Sequence, residues 1–116
     1  MGLNVSYDAW NGSYSSFNNF RKELCRVAGV DWDSIDDRYE WCNYLGMWKE
    51  TPSDPLLVLL VHSDCDGYIF PAQMEQLANR LIELKPLVDE DWQESVQDFI
   101  DALWASLDDS VIMTFG

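Results

Sequence analysis

Residues 89–107 read DEDWQESVQDFIDALWASL. Trp92, Val96, Phe99, Ile100, Leu103 and Leu107 recur at three- and four-residue intervals, the signature of a helix that buries one stripe. Asp89, Glu90 and Asp91 stand at its start, where negative charge is favourable to the helix dipole. Glu94, Asp98 and Asp101 fall on the outward face, and Asp108 and Asp109 come at the far end, where the same dipole disfavours them. Either the helix stops before that last pair or a cation meets it.

Working upstream, Pro71 opens a second helix with Met74, Leu77, Ala78, Leu81 and Leu84 inward, ending near Lys85 and Pro86. Downstream, residues 111–115 are β-like. At the other terminus, Leu3, Val5 and Tyr7 alternate with Asn4 and Ser6, predicting a half-buried strand that pairs with this tail. Residues 8–13 read as a polar loop. Ser15 or Ser16 then caps a helix with Phe17, Phe20, Leu24 and Val27 on one face and Gly29 as its stop. The expected fold is α+β: three to four helices packed on a minimal sheet made by the N- and C-terminal strands, in a single domain spanning residues 1–116.

Composition narrows the function classes. With 47% hydrophobic residues and six tryptophans in 116 residues, the chain has ample surface to bury and is expected to fold. Seven Lys plus Arg against 21 Asp plus Glu give a net charge of −14, which argues against direct binding to nucleic acid or anionic membranes. Residues 1–30 are net +1, residues 31–50 net −4 and residues 51–116 net −11, so the negative field belongs to the later part of the chain. Arg21, Lys22 and Arg26 form the one basic patch, on the outer face of the first helix.

Cys25, Cys42 and Cys65 are odd in number and form no CxxC pair, which fits reduced thiols in the cytoplasm. The start lacks a charged and apolar leader, and no apolar run is long enough to span a bilayer, so neither export nor membrane insertion is expected.

Residues 31–50 mix Asp31, Asp33, Asp36, Asp37 and Glu40 with Trp32, Tyr39, Trp41, Tyr44 and Trp48. Loop plus a short helix is the expectation, with the rings either packed over the core or displayed as a recognition surface. Asp54-Pro55 has the form of an N-cap followed by proline, which favours helix over buried strand for residues 56–61.

The next loop carries His62, Asp64, Cys65, Asp66 and Gly67 and resembles an EF-hand calcium loop with Gly67 as the turn glycine and Ile69 as the apolar eighth position. In that register the first position is His62 and the twelfth is Gln73, where the motif needs Asp and a bidentate Glu. The open readings are a divalent-metal site using His62, Asp64 and Asp66, a general acid/base pair, or a tight turn capped by Ser63 and Asp64. No elbow serine, P-loop or dinucleotide fingerprint is present in the sequence, and catalysis is not the favoured reading.

Residues 2–17, GLNVSYDAWNGSYSSF, together with Asp54-Pro55-Leu56 and the run from His62 to Gly67, resemble a family of small uncharacterised proteins of bacteria and their phages. The resemblance extends to the Trp92 helix with Phe99 and Ile100, and departs at Asn4 and Tyr68, where the family tends to have Asp and Glu. It implies a phage or prophage origin and a cytoplasmic location in a bacterial host cell, and no reaction.

Two functions are expected from these residues. The first is a non-catalytic acidic protein, monomer or homodimer, that engages a basic surface of a host protein through Asp31, Asp33, Asp36, Asp37, Glu94, Asp98, Asp101, Asp108 and Asp109. Such a protein would act as an inhibitor, by nucleic-acid mimicry or against host defence, and needs no cofactor. The second is a small-ligand, nucleotide or metal site, with hydrolysis as one outcome, built from Asp8, Trp10, Tyr14, Ser15, His62, Asp64 and Asp66.

Overall fold

A computed structural model describes residues 2–31, 54–60 and 67–115 of the chain. The readings at Trp32, Asp33, Asp36, Asp37, Tyr39, Trp41, Tyr44 and Trp48, and at Cys42, His62, Asp64, Cys65 and Asp66, lie outside the described residues.

The architecture is α+β. In chain order it comprises β1 (Gly2–Val5), β2 (Trp10–Ser13), α1 (Tyr14–Ala28), α2 (Leu57–Leu60), β3 (Gly67–Ile69), α3 (Pro71–Leu84), α4 (Glu90–Asp108) and β4 (Met113–Phe115). The sheet runs β2-β1-β4-β3 and every pairing is antiparallel. Terminal strands β1 and β4 pair, as the sequence predicts, and are its two central members. Two edges are added that the sequence reading did not contain.

The first is β2. Residues 8–13 are not a loop: Trp10 pairs with Val5 and Gly12 with Leu3. The hairpin turn lies earlier, where Ala9 N donates to Ser6 O at 3.2 Å and both Tyr7 and Asp8 have a φ of 59°. Positive φ at both central positions is the arrangement that matches the twist of the flanking strands, and it is normally filled by Asn-Gly. Here Asn11-Gly12 lies inside the strand instead. A Cβ at Gly12 would lie against the Trp10 ring, 3.4 Å from Nε1.

The second is β3, which converts Gly67, Tyr68 and Ile69 from loop to edge strand opposite Phe115, Thr114 and Met113. After Phe70, Pro71 starts α3, so residues 67–69 and 71–73 are strand and helix, not loop.

One face of the sheet is apolar. Leu3, Val5, Ile69, Met113 and Phe115 are buried while Asn4, Tyr68 and Thr114 between them are exposed, the period of two expected of a half-buried sheet. Against that face pack Phe17, Phe20 and Leu24 of α1, Met74, Leu77 and Leu81 of α3, and Val96, Phe99 and Leu103 of α4. Phe115 is the link between layers, with ring centroids 6.0 Å from Phe17 and 6.5 Å from Phe99. Both long C-terminal helices follow their predicted stripes.

Local caps differ in detail from the sequence reading. Ser13, not Ser15 or Ser16, caps α1, its Oγ accepting from Ser16 N at 3.1 Å. Asp54 behaves as predicted, its Oδ1 accepting from Leu56 N at 3.0 Å, and the same carboxylate holds Arg80 of α3 at 3.1 Å. That one residue therefore both opens α2 and fastens it to α3. The apolar run after Pro55 gives a single helical turn in which all four residues are buried.

Candidate functional site

α4 shows its charge on one side. Asp91, Glu94, Asp98, Asp101 and Asp108 are separated by three, four, three and seven residues, and all five are exposed. At 100° per residue they fall on a stripe about 100° wide, opposite the buried Val96, Phe99 and Leu103. Between Asp91 and Asp101 the axial charge spacing averages about 5 Å, against about 3.4 Å for phosphates along one DNA strand. Among the described residues no cation forms an ion pair with any of these five. Lys85 approaches only through an intermediary: its Nζ donates to Gln97 Oε1 at 2.7 Å, and Gln97 Nε2 donates to Asp101 Oδ1 at 2.8 Å.

The far end of α4 resolves the question raised by Asp108 and Asp109. The helix continues through Asp108, and the group that meets Asp109 is neutral: the Tyr7 hydroxyl of the β1–β2 turn donates to Asp109 Oδ2. That hydrogen bond to the carboxylate holds the Tyr7 hydroxyl above its ordinary pKa, with desolvation and the negative charge of Asp109 adding to it. Next to it, Ser6 Oγ accepts from Thr114 N at 2.9 Å and lies 2.8 Å from Thr114 Oγ1, fastening the turn to β4. Asp8, beside Tyr7, is exposed. Asp31, three residues beyond α1, is exposed as well.

The basic patch is corrected by the packing. Arg21 is buried, its Nη1 donating to Leu60 O at 3.2 Å, another nitrogen to Asn18 Oδ1, and its guanidinium carbon 4.8 Å from the Phe17 ring centroid. It joins α1 to α2 as a structural cation. Arg26 is engaged too, bidentate to Glu23 at 2.7 Å and 3.7 Å from Asp89. These two arginines serve the fold, so they do not provide an open cradle for an anion.

The residues read as a small-ligand pocket do not converge among the described ones. Trp10 packs inward, its ring 5.5 Å from Phe17 and 5.1 Å from Phe20, although its Nε1 is buried without a hydrogen-bond partner. Ser15 turns to Ser13, 3.2 Å between hydroxyls, and Tyr14 is half-buried against the core. Gln73, the twelfth position of the calcium-like register, is buried with its Oε1 unpartnered. Among the described residues no three His, Cys, Asp or Glu side chains are grouped to hold a metal ion. Cys25 is a core thiol whose pKa burial pushes up to about 11, so it is a poor nucleophile near neutral pH.

Tyr7, which the alternation places on a strand, lies instead on the β1–β2 turn, bonded to Asp109. The signal for it is indirect: a ring at the end of an alternating run, followed by an acid with no glycine to form the turn. No helix among the described residues is long and apolar enough to cross a membrane. No protein-family model matches the chain, and no curated protein or solved structure does either.

Proposed function

We propose that this chain is a non-catalytic interaction protein that binds a basic site on another protein through the acidic face of α4, acting as an inhibitor of that partner. The observation that carries the reading is the stripe of Asp91, Glu94, Asp98, Asp101 and Asp108, exposed and lacking ion-pair partners among the described residues. Like charges at three- and four-residue spacing destabilise the helix that carries them. A cationic partner relieves that repulsion on binding and is drawn in faster by the net charge of −14.

The ligand-pocket alternative has less support, since Trp10 is turned into the core and Arg21 is committed to α1–α2 packing. A competitor for a DNA-binding surface is one form of the proposed inhibitor. From Asp91 to Asp101 the α4 stripe carries about two thirds of the axial charge density of a DNA strand.

The test is affinity capture from a bacterial lysate with three forms of the full chain: wild type, Asp98→Asn/Asp101→Asn, and His62→Ala. Basic proteins retained by wild type and His62→Ala but lost from the double variant are the expected result. Retention that survives the double substitution and disappears with His62→Ala would transfer the function to the His62 loop.

A further inference from the structure

The segment linking α4 to β4 is pinned at both ends by the β1–β2 turn: Tyr7 bonds Asp109, and Ser6 bonds Thr114. Between those two fastenings Val111 and Ile112 stand 41% and 44% exposed, and Tyr7 of the turn is 44% exposed. Three large apolar side chains are thus exposed on this segment and on the turn that pins it. Asp8, Asp108 and Asp109, within three residues of them in sequence, are exposed as well.

Resting on the acidic-binding reading above, the geometry points to this patch as the anchor of the interface, taking a segment that alternates arginine or lysine with aliphatic side chains. Charge selects the occupant. A second copy of the chain brings a net charge of −14 and is repelled by these carboxylates. A cationic segment is attracted to them. Its aliphatic side chains cover Val111 and Ile112, an arginine stacks on the Tyr7 ring, and further cations pair with Asp8 and Asp108. The α4 stripe supplies long-range attraction, and the patch supplies the desolvated contact that discriminates among basic partners.

Two labelled peptides of equal charge test this by fluorescence anisotropy on the full chain at low salt, one alternating arginine with leucine and the other arginine with serine. Wild type should prefer the leucine peptide, and Val111→Ser/Ile112→Ser should weaken that peptide about ten-fold while leaving the serine peptide unchanged. Asp98→Asn/Asp101→Asn should weaken both peptides alike. If the leucine peptide binds the Val111→Ser/Ile112→Ser variant as tightly as wild type, the anchor is elsewhere and the acidic reading stands. If neither peptide binds wild type, both fall. Unchanged circular dichroism and Tm of the variants separate lost contact from lost fold.

Discussion

Ser110 occupies the left-handed region, with a φ of 54°, just past the end of α4. Its N–H donates to Leu107 O at 3.0 Å and the next amide, Val111 N, donates to Ser106 O at 3.1 Å, which together form a Schellman closure. α1 ends with a related bond, Val30 N to Cys25 O at 3.0 Å, but with Gly29 at the left-handed position and a φ of 75°. The two endings differ in the residue that bears the conformational cost. A Cβ in this region costs about 1 kcal/mol that glycine avoids, so Ser110→Gly should stabilise the fold by roughly that amount, read as a rise in Tm with binding to basic peptides retained. A fall in Tm would mean that the serine side chain makes a stabilising contact. The comparison also explains why the end of α1 was legible in the sequence and the turn at Tyr7-Asp8 was not. Glycine announces positive φ, whereas tyrosine and aspartate adopt it here only because β1, β2 and β4 hold both flanks, and Asn11-Gly12 advertises a turn that the pairing overrides.

Elements are joined here by a few polar ties across apolar layers. Glu23 of α1, nearly buried, accepts from Arg26 Nε and Nη2, each at 2.7 Å, and from Asp89 N at 2.8 Å, the residue that precedes α4. The Arg26 hydrogen bonds are the main reason its pKa is lowered from 4.5; desolvation opposes them, and the Asp89 amide and Arg26 charge assist. A depressed folded pKa means that this stability is complete above the unfolded value and is lost as pH falls through the folded one. Glu23→Gln should therefore cost about 1–3 kcal/mol at neutral pH, and the gap to wild type should close below pH 4.5 in urea titrations. A gap that is constant with pH would assign the tie to packing instead of charge. At this scale the helices were readable because Met74, Leu77, Leu81, Phe99 and Leu103 repeat their period over several turns. β3 was not, since three residues carry no period and become a strand only by meeting Met113, Thr114 and Phe115.

For the whole molecule, the acids of the candidate site were legible one by one and as a helical stripe, while the bond between the Tyr7 turn and the α4–β4 segment was hidden because its ends, Tyr7 and Asp109, are separated by 102 positions. Only the antiparallel meeting of the termini brings them together. The same assembly concentrates unbalanced charge, and that has a cost independent of any partner. Asp98 stands four residues after Glu94 and three before Asp101, two like-charge pairs worth about 0.2–0.5 kcal/mol each. Asp98→Asn removes both pairs at nearly constant helix propensity, so it should raise stability at low ionic strength by about 0.5–1 kcal/mol. The gain should shrink in 1 M NaCl, where the Debye length falls to about 3 Å. Thermal melts of wild type and variant at the two salt concentrations decide it, with basic-peptide binding measured on the same samples. A variant that is more stable and binds less tightly identifies Asp98 as a residue held against the interest of the fold, as expected of a binding surface. A gain that persists undiminished in high salt would trace the effect to the helix backbone and remove self-repulsion from the argument for a cationic partner.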